Sequence, residues 1–463
     1  MPEAVIVSIA RSPIGRAMKG SLVGMRPDDL AAQMVRAALD KVPALDPRDV
    51  NDLLLGCGLP GGEQGFNLGR NVAIALGHDA IPGTTITRYC SSSLQTTRMA
   101  LHAIKAGEGD VFISAGVETV SRFVKGTSDS LPDTQNPIYA DAQARTAELA
   151  AGGQQWVDPR EAGNLPDAYI AMGQTAENVA QITGISREEQ DHWAVRSQNR
   201  AEAAIASGFF DREITPVTLP DGTVVSKDDG PRAGTTYEGI SALKPVFRPD
   251  GTVTAGNACP LNDGAAALVI MSDTKAKDLG LTPLARVVST GVSGLSPEIM
   301  GLGPIEASKR ALDIAGLTID DIDLVEINEA FAVQVLGSAR ELAIDEDKLN
   351  VSGGAIALGH PFGMTGAHHR DAPEQPHDPR QAVRPGDHVR RRRPGHGDGP
   401  RTTELTVDPP ARRLSRHRGA SPTTVQETGQ TTVSGRGRDG PRSVKVKDEP
   451  AEKRTMATSP DSR

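Results

Sequence analysis

The composition of the chain changes abruptly after Ala367, and this change limits which residues can form a folded core. Residues 368–463 contain no Phe, Trp, Tyr, Ile or Cys, only two Leu and as many as twelve Pro, and four consecutive arginines occupy positions 390–393. Such a segment cannot bury enough apolar surface to offset the loss of chain entropy on folding. We therefore expect residues 368–463 to be disordered and all packed domains to lie within residues 1–367, called the body below.

The charge of the chain is divided in the same way. Residues 368–463 hold 17 Arg and 3 Lys against 13 Asp and Glu, a net charge of +7, so the whole-chain value of −9 leaves about −16 for the body. An acidic body disfavours nucleic acid as its ligand, because nucleic-acid binding normally uses a basic face. For the C-terminal segment alone, an arm that binds nucleic acid or anionic lipid is an alternative interpretation.

The three cysteines, Cys57, Cys90 and Cys259, are odd in number and widely spaced. This usage fits a reducing compartment and neither a disulfide framework nor a zinc cluster, so no metal is expected. Residues 1–14 have no basic region followed by a long apolar stretch, and no run of 18 apolar residues occurs in the chain. We expect a cytoplasmic protein with no membrane partner.

Strand and helix patterns alternate along the body, which indicates an α/β fold. Residues 5–9 have the pattern of a buried strand, and residues 27–42 have that of an amphipathic helix. A similar series at residues 307–343 suggests that the body consists of two related halves. Between the halves, residues 120–250 are richer in Gly, Pro and Asp, which suggests an inserted domain that covers the others.

Cys90 lies where a loop enters a predicted helix, within the sequence Thr-Arg-Tyr-Cys-Ser-Ser-Ser. The partial positive charge of a helix N-terminus favours thiolate, so we expect a lowered pKa for Cys90 and a role as nucleophile. A buried and inert thiol is the alternative for any free cysteine, and it is our interpretation of Cys57.

His360 lies in a glycine-rich run, residues 353–363, whose sequence is Gly-Gly-Ala-Ile-Ala-Leu-Gly-His-Pro-Phe-Gly. The glycines allow the backbone to approach a ligand closely, and Pro361 suits the first position of a helix. A core histidine is the alternative. Asn328 follows a predicted strand and precedes a predicted helix, so it is a functional residue, the N-cap of that helix, or both.

Four motifs together resemble the thiolase family of acetyl-CoA acyltransferases. The motifs are the Cys90 segment, Gly-Asn-Ala and Asn-Asp-Gly-Ala starting at Gly256 and Asn262, Asn-Glu-Ala-Phe starting at Asn328, and residues 353–363. Their order and spacing make the match specific, whereas each motif alone would be weak. The resemblance covers residues 1–367. It implies a thiolase fold, with two related α/β halves in α-β-α-β-α layers, a mixed sheet in each half, and an inserted loop domain.

This resemblance divides the chain into four parts. The N-terminal half is expected at residues 1–120, an inserted CoA-covering loop domain at 121–262, a truncated C-terminal half at 263–367, and the disordered segment at 368–463. Family members assemble as dimers or tetramers, so we expect a homodimer or a homotetramer.

The resemblance also implies a reaction. Cys90, activated by His360, attacks the 3-keto carbon of a 3-ketoacyl-CoA, acetyl-CoA leaves, and a second CoA collects the shortened acyl group. His360 and a water held by Asn328 stabilise the oxyanion. CoA is then a co-substrate, and no permanently bound cofactor is required. The expected CoA and acyl contacts, for which ordinary packing or a solvated charge is the alternative, are Arg232, Met172, Phe247, Cys259, Met300 and Phe331.

Two departures from the family pattern bear on the substrate. Ala171 stands where short-chain members carry a histidine, which makes room for a longer acyl group and favours a degradative 3-ketoacyl-CoA thiolase. An acetyl-CoA acetyltransferase that forms acetoacetyl-CoA, and a thiolase-like protein that binds acyl-CoA without turnover, are the alternatives. Cys259 replaces a serine that contacts pantetheine, and a thiol is the weaker hydrogen-bonding group.

The sequence also departs from the family after Ala367. Thiolases finish with Cys-x-Gly-Gly-Gly, whose cysteine carries a proton to and from the acetyl carbon, but this chain has no cysteine after Cys259. Prolines at 373, 376 and 379 exclude the long helix that the family places there. Residues 382–398 can be encoded by codons that, read from their second base, give Met-Cys-Val-Gly-Gly-Gly. We hypothesise a frameshift close to Ala367 and expect the chain as written to be poorly folded and nearly inactive.

Overall fold

The computed structural model describes residues 1–123 and 134–367, together with the backbone of the short strand Ala382–Val383. Apart from that strand, residues 368–463, for which disorder is expected, lie outside the described residues. The strands are β1 (Ala4–Arg11), β2 (Gly15–Arg16), β3 (Asp52–Cys57), β4 (Gly83–Ile86), β5 (Val111–Thr119), β6 (Val217–Thr218), β7 (Val224–Val225), β8 (Asn262–Ser272), β9 (Ala285–Val287) and β10 (Ala382–Val383).

The α-helices follow the predicted alternation with the strands. The helix expected over residues 27–42 is confirmed, and it begins at a proline that suits the first turn. The α-helices are α1 (Pro27–Asp40), α2 (Leu68–Ala75), α3 (Ser92–Ala106), α4 (Ala140–Ala150), α5 (Met172–Thr183), α6 (Arg187–Ala206), α7 (Phe209–Glu213), α8 (Tyr237–Ser241), α9 (Asp273–Asp278), α10 (Gly303–Ala315), α11 (Ala332–Glu341) and α12 (Ala355–Leu358).

A mixed sheet forms the centre of the first half, in the order β10-β9-β1-β8-β5-β3-β4. Strands β3, β4 and β5 are parallel to one another, whereas β8 is antiparallel to both β1 and β5. Alternate residues of β8 pack on opposite faces: Ala265, Ala267, Val269 and Met271 face the core under α1 and α2, and Ala266, Leu268 and Ile270 face the core under α3. A mixed sheet covered by helices on both faces confirms the predicted α/β class.

Strand β8 belongs to the first half, although the expected boundary at residue 262 assigned it to the second. It lies between β1 and β5 and is buried along its whole length. The chain leaves the first sheet after β5 and returns to its centre as β8. Sequence alternation alone could not give this result, because it predicts a strand without specifying the partners of that strand.

The second half has a different organisation in the described residues. Its core consists of α11 with Val325 and Ile327, packed against α5 and α6 of the expected loop domain. Between residues 288 and 367, strand pairing is reduced to one parallel bridge, in which Val325 lies opposite Leu349. In the part of the chain that the structure describes, the second mixed sheet expected from the resemblance is represented by this bridge, and Phe331 and His360 form isolated bridges with Ala258 and Leu261.

Candidate active site

Cys90 lies in a short 3₁₀ turn, Tyr89–Ser91, that leads directly into α3. Tyr89 has a φ of 45°, which is rare for a residue with a side chain. The Ser92 hydroxyl accepts a hydrogen bond from the Arg88 amide and donates one to the Tyr89 carbonyl. These bonds hold the turn that presents Cys90, and its predicted place at the start of a helix is confirmed.

The expected acidity of Cys90 is wrong. Burial, followed by the negative charge of Glu118, raises the pKa of Cys90 to about 12. Removal from water penalises the thiolate, and in this site that penalty exceeds the effect of the helix terminus. Without ligand Cys90 is therefore a neutral thiol, and it needs a base to become a nucleophile. Burial also raises the pKa of Cys57, as expected for a thiol in the core.

His360 is almost fully buried, at 1% exposure. Its backbone amide donates to the Asn262 side chain at 2.9 Å, and its Nδ1 lies 2.6 Å from the Thr365 hydroxyl. Its Nε2 has no partner among the described residues. Burial lowers the pKa of His360 to about 3, so the imidazole is neutral near pH 7. After His360 the chain forms a turn at Pro361, in which the amides of Met364 and Thr365 both donate to the Pro361 carbonyl.

Ser93 joins the Cys90 helix to the turn that follows His360. Its hydroxyl donates to the Met364 carbonyl at 3.0 Å and accepts from the Ala367 amide at 2.9 Å. These residues are buried, so both hydrogen bonds are shielded from water. The nucleophile predicted in the first half is thereby tied to the histidine predicted in the second.

Asn328 lies in the loop between the Val325 bridge and α11. Helix α11 begins at Ala332 with Phe331 as its N-cap residue, so the alternative role of Asn328 as a cap is wrong. The Oδ1 atom of Asn328 is buried and has no hydrogen-bond partner in the described part of the chain. A buried amide oxygen without a partner is costly, which points to a ligand or a water as its partner.

Cys90 and Asn328 line the same cavity, which has a volume of about 320 Å³. Gly359 and Thr365, which stand on either side of His360 in the sequence, also line it, and so does the predicted acyl contact Met300. Both halves of the body contribute to its walls. The structure therefore brings Cys90 and Asn328 to one cavity, and His360 lies in the segment between two residues of its wall.

Two buried carboxylates hold the two ends of the His360 loop, residues 353–363. Glu329 accepts from the amide of Ile356 at 3.1 Å, and Glu118 accepts from the amide of Gly363 at 2.9 Å. A side chain at Gly354 would overlap the Glu329 carboxylate, so only glycine fits at that position. The loop is fixed at both ends by one carboxylate from each half.

Each carboxylate has further donors around it. Glu329 also accepts from Trp193 Nε1, Ser197 Oγ and Asn350 Nδ2. Glu118 also accepts from the amides of Gly58 and Leu59 and from Gln64 Nε2. Burial is the largest influence on Glu118 and raises its pKa, while these donors favour its charged form.

The residues predicted to contact CoA and the acyl group lie in separate parts of the structure. Phe247 packs on the first turn of α5 beside Met172, and its ring meets the Phe331 ring edge to face at 6.2 Å. The Cys259 amide donates to the Ala330 carbonyl, next to the Asn328 loop. Arg232 is exposed, and its backbone amide donates to Gln198.

Sequence analysis did not select several residues that support this site. Glu329 and Asn262 belong to quoted motifs, so their place beside Asn328 and His360 could have been suspected. Glu118 lies near the end of a buried strand, where a carboxylate is rare, and that rarity was an available signal. Ser93 and Thr365 act through contacts between distant segments, which no local pattern reveals.

The described residues also bear on metal binding and on membrane spanning. Within residues 1–123 and 134–367, no group of three or more His, Cys, Asp and Glu side chains is arranged to hold a metal ion. In the same residues, no helix has the length and apolar character needed to cross a bilayer.

The fold and the cavity define an α/β protein with a candidate thiol site, and comparison with known proteins specifies the family. The model of the thiolase N-terminal domain matches residues 4–274, and that of the thiolase C-terminal domain matches residues 281–372. The chain therefore belongs to the thiolase family.

Individual relatives agree with this assignment. The chain is 44% identical to a 3-ketoacyl-CoA thiolase of Bacillus subtilis, over 79% of this chain and 90% of the relative. It is also 44% identical to a beta-ketoadipyl-CoA thiolase of Escherichia coli, over 79% and 91%. The crystal structure of the Bacillus anthracis acetyl-CoA acetyltransferase matches with a TM-score of 0.68 and 39% identity, over 79% of this chain and 90% of that one.

Proposed function

We propose that this chain transfers acyl groups between Cys90 and coenzyme A, in the thiolytic cleavage of 3-ketoacyl-CoA or in the reverse condensation. The observation that carries the proposal is the cavity lined by Cys90 and Asn328, beside which Nε2 of His360 lacks a partner among the described residues. A base without a partner, an amide oxygen without a partner and a neutral thiol are the components that thioester chemistry requires.

The reaction proceeds in two steps. His360 Nε2 takes the proton of Cys90, and the thiolate attacks the 3-keto carbon. The bond between C2 and C3 then breaks, acetyl-CoA leaves as C2 gains a proton, and the acyl group stays on Cys90 as a thioester. The thiol of a second CoA attacks this thioester and releases the shortened acyl-CoA. The imidazolium of His360 and a water on Asn328 stabilise the oxyanion of the first step.

The two steps make different demands on the chain as written. Acyl transfer between Cys90 and CoA needs only the base and the oxyanion donors. Carbon–carbon cleavage also needs a proton for C2, which the family obtains from a second cysteine that this chain lacks after Cys259. We therefore expect acyl exchange between CoA molecules to be better preserved than cleavage.

An assay of both reactions tests the function. The full chain is incubated with acetyl-CoA and isotopically labelled CoA to follow exchange, and with 3-ketoacyl-CoA and CoA to follow cleavage. Exchange that is faster than cleavage and is lost in Cys90→Ser supports the proposal. Binding of CoA with neither reaction supports the alternative of a non-catalytic acyl-CoA-binding protein.

For the substrate, we propose a 3-ketoacyl-CoA longer than acetoacetyl-CoA. Ala171 precedes α5 and is exposed, so it leaves space beside Met172. The names of the relatives differ in substrate: besides the two thiolases above, a relative of 43% identity from Cupriavidus necator is an acetyl-CoA acetyltransferase. Measuring the rate against acyl length tests this substrate. A preference for acetoacetyl-CoA would favour the alternative of an acetyl-CoA acetyltransferase.

We propose that CoA lies along the loop domain, residues 121–262, which the two halves support. The exposed guanidinium of Arg232 suits the phosphates at the nucleotide end of CoA. The ring pair of Phe247 and Phe331, next to the first turn of α5 in which Met172 lies, suits the pantetheine and acyl chain. Arg232→Ala should raise the KM for CoA with little change in kcat, whereas an equal change in both would contradict this contact.

We propose a cytoplasmic homo-oligomer whose subunits meet at β4. Among the described strands β4 pairs with β3 alone and ends the sheet, so it presents an open edge. Phe66 beside it is 92% exposed and has a φ of 56°, a strained conformation that a partner surface would support. Phe66→Asp should produce monomers in light scattering, whereas Ile314→Asp, at a site with 70% exposure in the second half, should not.

We also propose that the reading frame shifts close to Ala367. The match to the C-terminal family domain ends at residue 372, and α10 buries only Ala311 although its sequence is amphipathic. Sequencing the gene across codons 360–400 tests this. A gene whose own frame gives Cys-Val-Gly-Gly-Gly places the shift in the written sequence, and a gene that reads as written but carries Cys-Val-Gly-Gly-Gly in a shifted frame places it in the gene. Absence of Cys-Val-Gly-Gly-Gly from every frame overturns the proposal.

A further inference from the structure

The hydroxyl of Thr365 has two neighbours that restrict the state of His360. It lies 2.6 Å from His360 Nδ1 and 2.9 Å from the carbonyl oxygen of Pro361. A hydroxyl has one hydrogen to donate and can accept through its lone pairs. The carbonyl of Pro361 can only accept, so the two contacts are both hydrogen bonds in just one arrangement.

In that arrangement, the Thr365 hydroxyl donates to Pro361 and accepts from Nδ1–H of His360. The imidazole then carries its hydrogen on Nδ1, and its Nε2 is a bare lone pair. In the other tautomer the hydroxyl would have to turn toward Nδ1, the contact with Pro361 would lose its hydrogen, and Nε2–H would be a buried donor. Nε2 has no acceptor among the described residues, and buried donors without acceptors are rare.

We propose that Thr365 is a positioning residue that fixes the Nδ1–H tautomer of His360 and so leaves Nε2 free to accept the proton of Cys90. The proton balance is simple. The hydrogen of the Cys90 thiol moves to Nε2, the sulfur keeps the electron pair, and the imidazolium that forms still donates from Nδ1 to Thr365. The proposal rests on the proposed function only for the identity of the thiol that His360 deprotonates.

The Thr365 hydroxyl takes a place beside His360 that a carboxylate takes in many other sites. In those sites the carboxylate holds the second nitrogen of a catalytic histidine. Here the buried carboxylates of Glu118 and Glu329 are occupied by donors from the loop ends, and the partner of Nδ1 is Thr365. Thr365 also lines the cavity that contains Cys90, so it lies at the site of reaction.

The first test observes the tautomer directly. In the full chain labelled with ¹⁵N histidine, nitrogen–proton correlation spectra distinguish protonated from bare ring nitrogens, and His360→Gln identifies the signals of His360. We expect a protonated Nδ1 and a bare Nε2 in the wild-type chain and in Thr365→Ser, which keeps the hydroxyl. A protonated Nε2 in the wild-type chain overturns the proposal, and this outcome needs no variant that could fail to fold.

The second test measures the consequence at the thiol. Alkylation by iodoacetamide is followed on the Cys90 peptide by mass spectrometry. Thr365→Val keeps the shape and removes the hydroxyl, and we expect alkylation to slow by about 10- to 100-fold, the usual effect of losing a group that orients a histidine. Thr365→Ser should restore most of the rate. Equal rates in the wild-type chain and Thr365→Val, or no rescue by serine, overturn the proposal.

A matched control separates this role from loss of a threonine hydroxyl in general. Thr183 in α5 also donates to the carbonyl four residues earlier, that of Val179, at 2.7 Å. Thr183→Val should leave alkylation of Cys90 and the spectrum of His360 unchanged. If the wild-type chain shows the expected tautomer but no acyl exchange, the proposed function fails and the assignment of Thr365 stands. If the chain exchanges acyl groups without the expected tautomer, the assignment of Thr365 fails and the proposed function stands.

Discussion

The two halves of the body hold their site residues in different ways. In the first half, Cys90 is carried by a helix that packs on a continuous sheet, and β3, β5 and β8 are joined residue by residue. In the second half, Asn328 and His360 lie on loops, and backbone pairing among the described residues there consists of isolated bridges, of Val325 with Leu349, Phe331 with Ala258 and His360 with Leu261. Backbone ladders position the nucleophile, whereas single bridges and side chains position the base and the oxyanion residue.

Asn350 shows how a side chain can replace a ladder. Its Oδ1 accepts from the amide of Ile327 at 2.9 Å, and its Nδ2 donates to the carbonyl of Ile327 at 2.9 Å. A neighbouring strand would pair with the same two groups. The same Nδ2 also donates to Glu329, which in turn holds the amide of Ile356 in the His360 loop. Side-chain hydrogen bonds thus connect Asn350, through Glu329, to the loop that carries the candidate base His360.

The largest effect should follow from Glu329→Ala. It leaves four donors without their acceptor, and each buried unpaired group costs about 1 to 3 kcal/mol. We expect the free energy of unfolding to fall by about 3 kcal/mol or more in urea titrations. Glu118→Ala should cost less, because the sheet still holds β5. A larger loss of unfolding free energy for Glu118→Ala would contradict this difference between the two halves.

Asn350→Ala should have the next largest effect. Both backbone groups of Ile327 lose their partner, at a cost of about 2 kcal/mol. Asn350→Asp sharpens the test, because a carboxylate can accept from the Ile327 amide but cannot donate to its carbonyl. Hydrogen exchange of residues 325–328 should rise in both variants and more in the alanine variant. Unchanged protection in Asn350→Ala would show that the side chain does not replace a ladder.

The pH dependence of stability should reveal the burial of His360. The folded chain holds this imidazole neutral down to a pKa of about 3, whereas in the unfolded chain its pKa is about 6.5. Between these values the unfolded chain binds one more proton, so stability falls as the pH drops from about 6.5 toward 3. His360→Gln should reduce this slope by about 1.4 kcal/mol per pH unit.

Urea titrations at about pH 5 and pH 6 measure that slope. His192→Gln, at a site where the side chain is 58% exposed, is the control for replacing a histidine by glutamine. Identical slopes in the wild-type chain and His360→Gln would mean that His360 is accessible to water, contrary to the packing described above.

The smallest effect should come from Ser93→Ala at the junction of the halves. It removes one donor and one acceptor for the turn after His360, and we expect a loss of about 1 to 2 kcal/mol. The rate of acyl exchange should decrease more than the loss of stability alone would explain, because the distance between Cys90 and His360 depends on this contact. A decrease in stability without any change in exchange would contradict that dependence.

Sequence reasoning predicted those features that repeat locally or form motifs. Strand β1, helices α1 and α3, and the shared cavity of Cys90 and Asn328 followed from period, glycine placement and family resemblance. The pKa of Cys90 did not follow, because it depends on burial by residues far away in the sequence. The pairing of β8 and the contacts of Asn350 with Ile327 were also hidden, since both depend on which segments meet in three dimensions.

Acylation of Cys90, with His360 as its base, is the step on which the proposed function depends. Peptide mass spectrometry of the full chain after incubation with acetyl-CoA measures this step. We expect one acetyl group on Cys90, none on Cys57 or Cys259, and loss of the modification in His360→Gln. Absence of acetyl from Cys90, or equal acetylation in His360→Gln, would contradict it.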